Sequence, residues 1–123
     1  MIRLIRGSIF PTLVSADDSN AADRVTSEMM GTSDIRTWMY VPADSRSKLD
    51  KALSSGTDAI LADMEDAVSP SGKAAARECL ATWLSEIDPS AARPHLWVRV
   101  NAGSVEEDLP AAIHPLVEGI CLP

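Results

Sequence analysis

The stretch Ala59-Ile60-Leu61-Ala62-Asp63-Met64-Glu65-Asp66-Ala67-Val68 joins a short apolar run to three carboxylates. Its apolar part has the length of a buried strand, and the acids follow directly. Carboxylates are rarely buried unless they are paired or bound to a cation. In open α/β sheets and α/β barrels, ligands bind at the carboxyl ends of the strands. The stretch therefore predicts a buried strand that delivers Asp63, Glu65 and Asp66 to a functional site.

Size and charge narrow the classes of function. The chain has 123 residues, enough for one modest domain, and a net charge of -7. That charge argues against nucleic acid or an anionic membrane as the main partner. No apolar run approaches the ~20 residues that a membrane span needs. The two cysteines, Cys79 and Cys121, are expected to be buried reduced thiols. These features predict a cytoplasmic protein, with the mitochondrial matrix as the alternative.

The first quarter or so of the sequence lacks the regular pattern of the remainder. Residues 1–34 carry Arg3 and Arg6, a short apolar patch and then a polar tract without regular periodicity. We interpret them as a flexible or misassigned leader, with Met29 or Met30 as an alternative start. Residues 35–123 form the predicted folded domain.

Strands and helices alternate through this domain. Apolar runs predict strands at 37–41, 59–62, 96–100 and 116–122. Helical spacing and capping residues predict helices over 46–54, from Pro70 through 84, and over 105–113. Such βα units form a parallel sheet with right-handed crossovers.

Arg99 stands out because it lies in an apolar strand between Val98 and Val100. A guanidinium keeps its proton, so it requires a carboxylate partner or an anionic ligand. Glu65 and Asp66 are the candidate partners. A salt bridge that fixes geometry and a ligand-binding role both remain open. Asp63 alternates with Met64 on the pleat and is expected to point into a barrel interior, paired with a neighbouring strand.

Other charged residues have simpler interpretations. The acidic loop can also be solvated, with Asp66 as a helix cap. Arg46 follows the first strand and is placed to meet a phosphate. The side chains expected to have solvated or structural roles are Lys48, Lys51, Lys73, His95 and His114.

Several motifs, in order and at fitting spacing, resemble the citrate lyase beta subunit group of the HpcH/HpaI-type aldolases. The resemblance covers about Arg36 to Pro123. It is carried by Arg36-Thr37-Trp38-Met39-Tyr40-Val41-Pro42-Ala43-Asp44-Ser45, Asp63-Met64-Glu65-Asp66-Ala67-Val68, Lys73-Ala74-Ala75-Ala76-Arg77, Val98-Arg99-Val100-Asn101 and Gly119-Ile120-Cys121-Leu122-Pro123.

The resemblance implies the amino-terminal part of a TIM-type (β/α)8 barrel, about three and a half βα units of eight. It also implies magnesium-dependent cleavage or formation of a carbon–carbon bond in citryl-CoA, malyl-CoA or a similar hydroxyacyl thioester. Arg99 would bind the substrate carboxylate, and Glu65 and Asp66 would orient Arg99 and metal-bound water. Tyr40 and Arg46 would line the entrance, with Arg46 near a CoA phosphate.

The resemblance also sets expectations about what lies outside this sequence. The family's direct magnesium carboxylates follow the segment where this sequence stops, and its full-length members are expected to be homo-oligomers. A truncated lyase is therefore the first interpretation. A non-catalytic half-barrel that associates with itself or a partner through an open edge at the fourth strand is the alternative. A flavodoxin-like domain is a third, but it needs a fifth strand that the pattern does not show.

Overall fold

The computed structural model of the chain describes residues 3–6 and 34–123. The strands are β1 (Arg3–Arg6), β2 (Trp38–Pro42), β3 (Ala59–Asp63), β4 (His95–Arg99) and β5 (Val117–Leu122). The helices are α1 (Arg46–Leu53), α2 (Lys73–Glu86) and α3 (Val105–Ala112), and a 3-10 turn at Pro70–Gly72 precedes α2. The strands form one parallel sheet in the order β1-β5-β4-β3-β2.

The amino-acid composition of α2, the longest described helix, favours helix formation. The 14 residues of α2 are mostly good helix formers, and Pro70 lies ahead of them in the 3-10 turn, where its missing N–H costs no helical hydrogen bond. Ala76, Leu80, Trp83 and Leu84 recur on one face and are buried. None of the described helices is long and apolar enough to cross a membrane.

From β2 to β5 the sheet is wound in one direction. Strands β2, β3, β4 and β5 are neighbours in chain order, so each crossover moves one strand further the same way. Right-handed crossovers then place α1, α2 and α3 on one face of the sheet. A doubly wound, flavodoxin-like sheet reverses its order at a switch point. The order of β2 to β5 is instead that of consecutive units of a (β/α) barrel, which confirms the predicted fold class.

The two faces of the sheet have different cores. Ile60, Val98 and Ile120 belong to the larger cluster, which packs against the helices. Leu61, Trp97 and Cys121 form a smaller cluster on the opposite face. Trp97 also meets Trp38 edge-to-face, with ring centroids 5.6 Å apart. That opposite face, which would be a barrel's interior, leads towards the acidic strand end.

The predicted leader contains a strand. Arg3–Arg6 pairs in parallel with Gly119–Leu122, so the edge of β5 that was expected to be open is covered. A four-residue strand with an arginine at each end is too short to show a periodic pattern, and its partner is distant in sequence. Apart from Asp34, the other leader residues, including both candidate starts, lie outside the described residues.

Candidate functional site

Arg99 and Asp63 form a paired centre at the carboxyl end of the sheet. They are the last residues of β4 and β3 and lie opposite each other in the strand register. Arg99 Nε donates to Asp63 Oδ1 at 3.0 Å, and Nη2 donates to Oδ2 at 2.7 Å. Asp63 is 1% exposed. This confirms that Asp63 points into the interior and pairs with the neighbouring strand, and it makes Asp63 the main partner of Arg99.

The pair stabilises both charges. Burial of the Asp63 carboxyl raises its pKa, but the hydrogen bonds from Arg99 and from the Glu65 N–H outweigh that effect and hold the pKa below its ordinary value. The hydrogen bond to Asp63 raises the pKa of Arg99. Asp63 also accepts hydrogen bonds from the backbone N–H groups of Glu65 at 2.8 Å and Ala67 at 3.2 Å. Its two oxygens therefore fix both the guanidinium and the loop that follows β3.

The predicted partners of Arg99 lie close to its guanidinium group. Glu65 Oε2 lies 3.1 Å from Arg99 Nη1, and Asp66 Oδ2 lies 4.0 Å from Nη2. The Arg99 Cζ atom lies 5.3 Å from the ring centroid of Tyr40, a cation–π arrangement. Glu65 Oε2 is buried and accepts no hydrogen bond, whereas Asp66 is 82% exposed. The structure thus brings Arg99, Glu65, Asp66 and Tyr40 together.

Beside this group lies a second buried carboxylate, which the sequence analysis missed. Asp108 is 0% exposed and accepts from Arg77 Nε at 2.8 Å. Its Oδ2 accepts from the backbone N–H of Asn101 at 2.7 Å and from Asn101 Nδ2 at 2.8 Å. Burial alone would raise the pKa of Asp108, but the bonds from Asn101 and Arg77 hold it below its ordinary value. The residues after β4 are therefore tied to α2 and α3.

The depressed pKa values of Asp63 and Asp108 predict acid sensitivity. A carboxyl whose pKa is lower in the folded state adds stability above its unfolded pKa of about 4, and this is lost as the pH falls through the folded value. We expect the free energy of unfolding, measured with urea, to fall as the pH drops below about 4. In Asp108→Asn this fall should be smaller, because one of the groups linked to folding is gone.

The matched control is Glu106→Gln, an exposed acid in the same turn of α3. Its stability should decline with falling pH as in the parent chain. An equally steep acid loss in Asp108→Asn would contradict the assignment.

Lys73 differs from its predicted role as a solvated helix charge. Its Nζ donates to the carbonyls of Met64 at 2.8 Å and Glu65 at 2.5 Å. The reason is the 3-10 turn, which places the first residue of α2 against the loop that follows β3.

Arg46 lies apart from the Arg99 group. Its guanidinium pairs with Asp50 at 3.1 Å and with Glu86. These residues border a cavity of about 250 Å³ beside Trp83, and no residue of the Arg99 group lines it. His95 pairs with Glu118 at 2.7 Å at the other end of β4. Within residues 34–123 and 3–6, no three His, Cys, Asp or Glu side chains are arranged to hold a metal ion.

Two parts of this network had weak sequence signals. Asp63 was expected to pair with a neighbouring strand, and aligning the ends of β3 and β4 would have identified Arg99 as its partner. Asp108 follows Glu106 and Glu107 and looks like an ordinary acid in the first turn of a helix. Its burial depends on the packing of α3 against α2, which no local pattern encodes.

A comparison with models of known protein families identifies the family of the chain. Residues 36–123 match the model of the HpcH/HpaI aldolase/citrate lyase family. The chain belongs to this family. The matched region contains β2 to β5 and all the side chains around Arg99.

Solved structures of a mycobacterial family member are also similar to the chain. The citrate lyase beta subunit of Mycobacterium tuberculosis, complexed with oxaloacetate and magnesium, is 34% identical over 60% of this chain and 31% of its own, with a TM-score of 0.48. Its complex with magnesium, acetoacetate and coenzyme A has the same identity and TM-score and is covered over 26% of its length. The chain thus spans less than a third of these structures. No curated protein matches it.

Proposed function

We propose that this chain supplies the arginine-bearing part of a magnesium-dependent carbon–carbon lyase site. The substrate would be citryl-CoA, malyl-CoA or a similar hydroxyacyl thioester. The observation that carries the proposal is Arg99, held by the buried carboxylate of Asp63 at the carboxyl end of a barrel-type sheet. Family membership and the ligands of the mycobacterial structures support the choice of reaction.

Arg99 has donors left for a substrate. Asp63 engages Nε and Nη2, while Nη1 has an ionic contact with Glu65 but no hydrogen bond among the described residues. The side chain is 19% exposed, enough for a ligand to reach it. A guanidinium with its plane fixed can bind a carboxylate and an adjacent oxygen with little further loss of entropy. Arg99 would therefore bind and orient the acid end of the substrate.

The negative charge around Arg99 favours the binding of a cation. Three carboxylates, those of Asp63, Glu65 and Asp66, surround one guanidinium, and the cluster keeps a net negative charge even when the nearby Lys73 ammonium is counted. An anionic substrate would be repelled unless a divalent cation compensates. Magnesium suits these groups, because it prefers oxygen ligands and retains bound water.

The carboxylate oxygens without hydrogen bonds indicate which residues could interact with a magnesium ion or its bound water. Asp63 has both oxygens hydrogen-bonded and Glu65 Oε2 is buried against Arg99 Nη1, so the other Glu65 oxygen and the exposed Asp66 carboxylate are left for a metal site. Glu65 and Asp66 would hold water bound to magnesium rather than the ion itself. Magnesium, when bound, would supply a Lewis acid for the substrate oxygen.

Two further residues have proposed substrate contacts. Tyr40 is 49% exposed and would form one wall of the entrance. Arg46 would contact a CoA phosphate only if its exposed ion pairs with Asp50 and Glu86 opened.

A chimera tests the proposal. Residues 36–123 would replace the corresponding segment of the mycobacterial citrate lyase beta subunit, and cleavage of citryl-CoA and malyl-CoA would be followed with and without magnesium. We expect magnesium-dependent cleavage of at least one thioester. Arg99→Lys should reduce kcat/KM by about a hundredfold or more, because lysine cannot bind in a bidentate manner.

Arg46→Lys is the matched control and should retain most activity, because Arg46 lies apart from the Arg99 group and lysine keeps its positive charge. A chimera that folds, as judged by circular dichroism and cooperative melting, but cleaves neither thioester would contradict the proposal. That result would favour the alternative, a non-catalytic half-barrel. One observation supports this alternative: β2 lies at the sheet edge among the described strands, with Met39 and Tyr40 37% and 49% exposed.

A further inference from the structure

One backbone carbonyl beside Arg99 is bound from two sides. The oxygen of Met64 accepts from Lys73 Nζ at 2.8 Å and from Asn101 Nδ2 at 2.9 Å. The N–H of Met64 donates to the Arg99 carbonyl at 3.0 Å. A carbonyl has two lone pairs, so this peptide group is saturated. The residue between Asp63 and Glu65 is therefore anchored to α2, to β4 and to the loop after β4.

Lys73 occupies a position that a helix does not favour for a cation. It is the first residue of α2, where the helix dipole repels positive charge. Among the described residues its ammonium group bonds to the carbonyls of Met64 and Glu65 and to no carboxylate. Two charge-assisted hydrogen bonds compensate for the unfavourable position. Lys73 therefore stabilises the loop that precedes the helix.

The orientation of Asn101 is also fixed. Its Nδ2 lies between two acceptors, the Met64 oxygen and Asp108 Oδ2. The flipped amide would place its oxygen against both, so the donor must face them. Arg77 in turn holds Asp108 at 2.8 Å. Asn101 therefore donates to Met64 from a rigid support.

We propose that Lys73 and Asn101 are positioning residues that hold the Met64–Glu65 backbone so that the Glu65 carboxylate stays against Arg99. The catalytic consequence rests on the proposed function, but the positioning itself does not. Glu65 Oε2 is buried and has Arg99 Nη1 at 3.1 Å as its ionic contact. A shift of the loop by about 1 Å would weaken that contact and change how the guanidinium is presented.

Amide hydrogen exchange in the 123-residue chain tests the positioning directly. The Val68 N–H donates to the Glu65 carbonyl at 3.2 Å, so it reports on the loop. Lys73→Met should speed exchange at Val68 and Glu65 by about tenfold, since a local hydrogen bond is worth about one power of ten. Exchange at Ile113, which donates to Leu109, should not change. Lys73→Arg, which keeps the donors, should restore most of the protection.

Lys48→Met, at an exposed lysine of α1, is the matched control and should leave Val68 unchanged. Asn101→Ala is the second variant, because it removes the other donor to the same carbonyl. If Lys73→Met does not fold, faster exchange at Glu65 in Asn101→Ala still supports the proposal. Unchanged exchange at Glu65 and Val68 in the folded variants would overturn it.

Activity of the chimera provides the second measurement. Lys73→Met should lower kcat by at least about tenfold while the KM for the thioester changes less, and it should add little once Glu65 is Gln. Equal losses with Glu and with Gln at position 65 would overturn the role through Glu65. An inactive chimera with the expected exchange pattern would contradict the proposed function but leave the positioning role supported.

Discussion

Replacement of Arg99 by methionine is expected to lower the free energy of unfolding by about 3–5 kcal/mol, a large share of the stability of a small domain. Methionine keeps the aliphatic stem but removes the donors to both oxygens of Asp63. The carboxylate, 1% exposed, would be left with two backbone N–H partners and no counter-charge. Urea unfolding followed by tryptophan fluorescence at neutral pH measures the loss.

A double-mutant cycle separates the pair from the general cost of substitution. Asp63→Asn removes the buried charge, so Arg99→Met should cost much less in its presence. Arg46→Met is the matched control, because its ion pairs with Asp50 and Glu86 are about half exposed and should contribute little. Additive losses at positions 63 and 99 would contradict the pairing.

Substitution of Gly119 by alanine is expected to destabilise the chain by about 1–3 kcal/mol, and by valine more. Gly119 lies opposite Trp97 in the register of β4 and β5. A Cβ atom at position 119 would lie 2.1 Å from Cζ3 of the indole and 2.4 Å from Cε3. Trp97 is 1% exposed, so its indole cannot move aside without disturbing the residues packed around it. Thermal and urea unfolding of the two variants would measure the effect.

The sign of this effect is diagnostic, since replacing glycine by alanine within a strand ordinarily helps. Gly103→Ala is the control, because nothing lies within 4 Å of a Cβ there; it should be neutral or slightly stabilising. In a Trp97→Leu background, Gly119→Ala should cost little further. An equal cost with Trp and with Leu at position 97 would show that the indole is not the obstacle.

The regular part of the fold could be predicted because its signals are local. Apolar runs and helical spacing place β3 and β4, and the structure extends the predicted strand at 59–62 by one residue. That residue is Asp63. Its charge ends the apolar run, and its register opposite Arg99 makes it the last residue of the strand.

The sequence predicts where the site lies, but not which of its residues contact one another. Parallel strands bring their carboxyl ends together, so the approach of Glu65 and Asp66 to Arg99 follows from strand order alone. Which carboxylate is paired depends on register and depth. The contacts of Lys73 and Asp108 depend on how α2 and α3 pack against the loops, and β1 depends on a partner more than a hundred residues away.

The most direct test of the account is the binding of oxaloacetate to the chimera by isothermal titration in the presence of magnesium. We expect saturable, magnesium-dependent binding that Arg99→Lys weakens by about a hundredfold and Arg46→Lys leaves nearly unchanged. Binding of equal affinity in Arg99→Lys and in the parent chimera would contradict it.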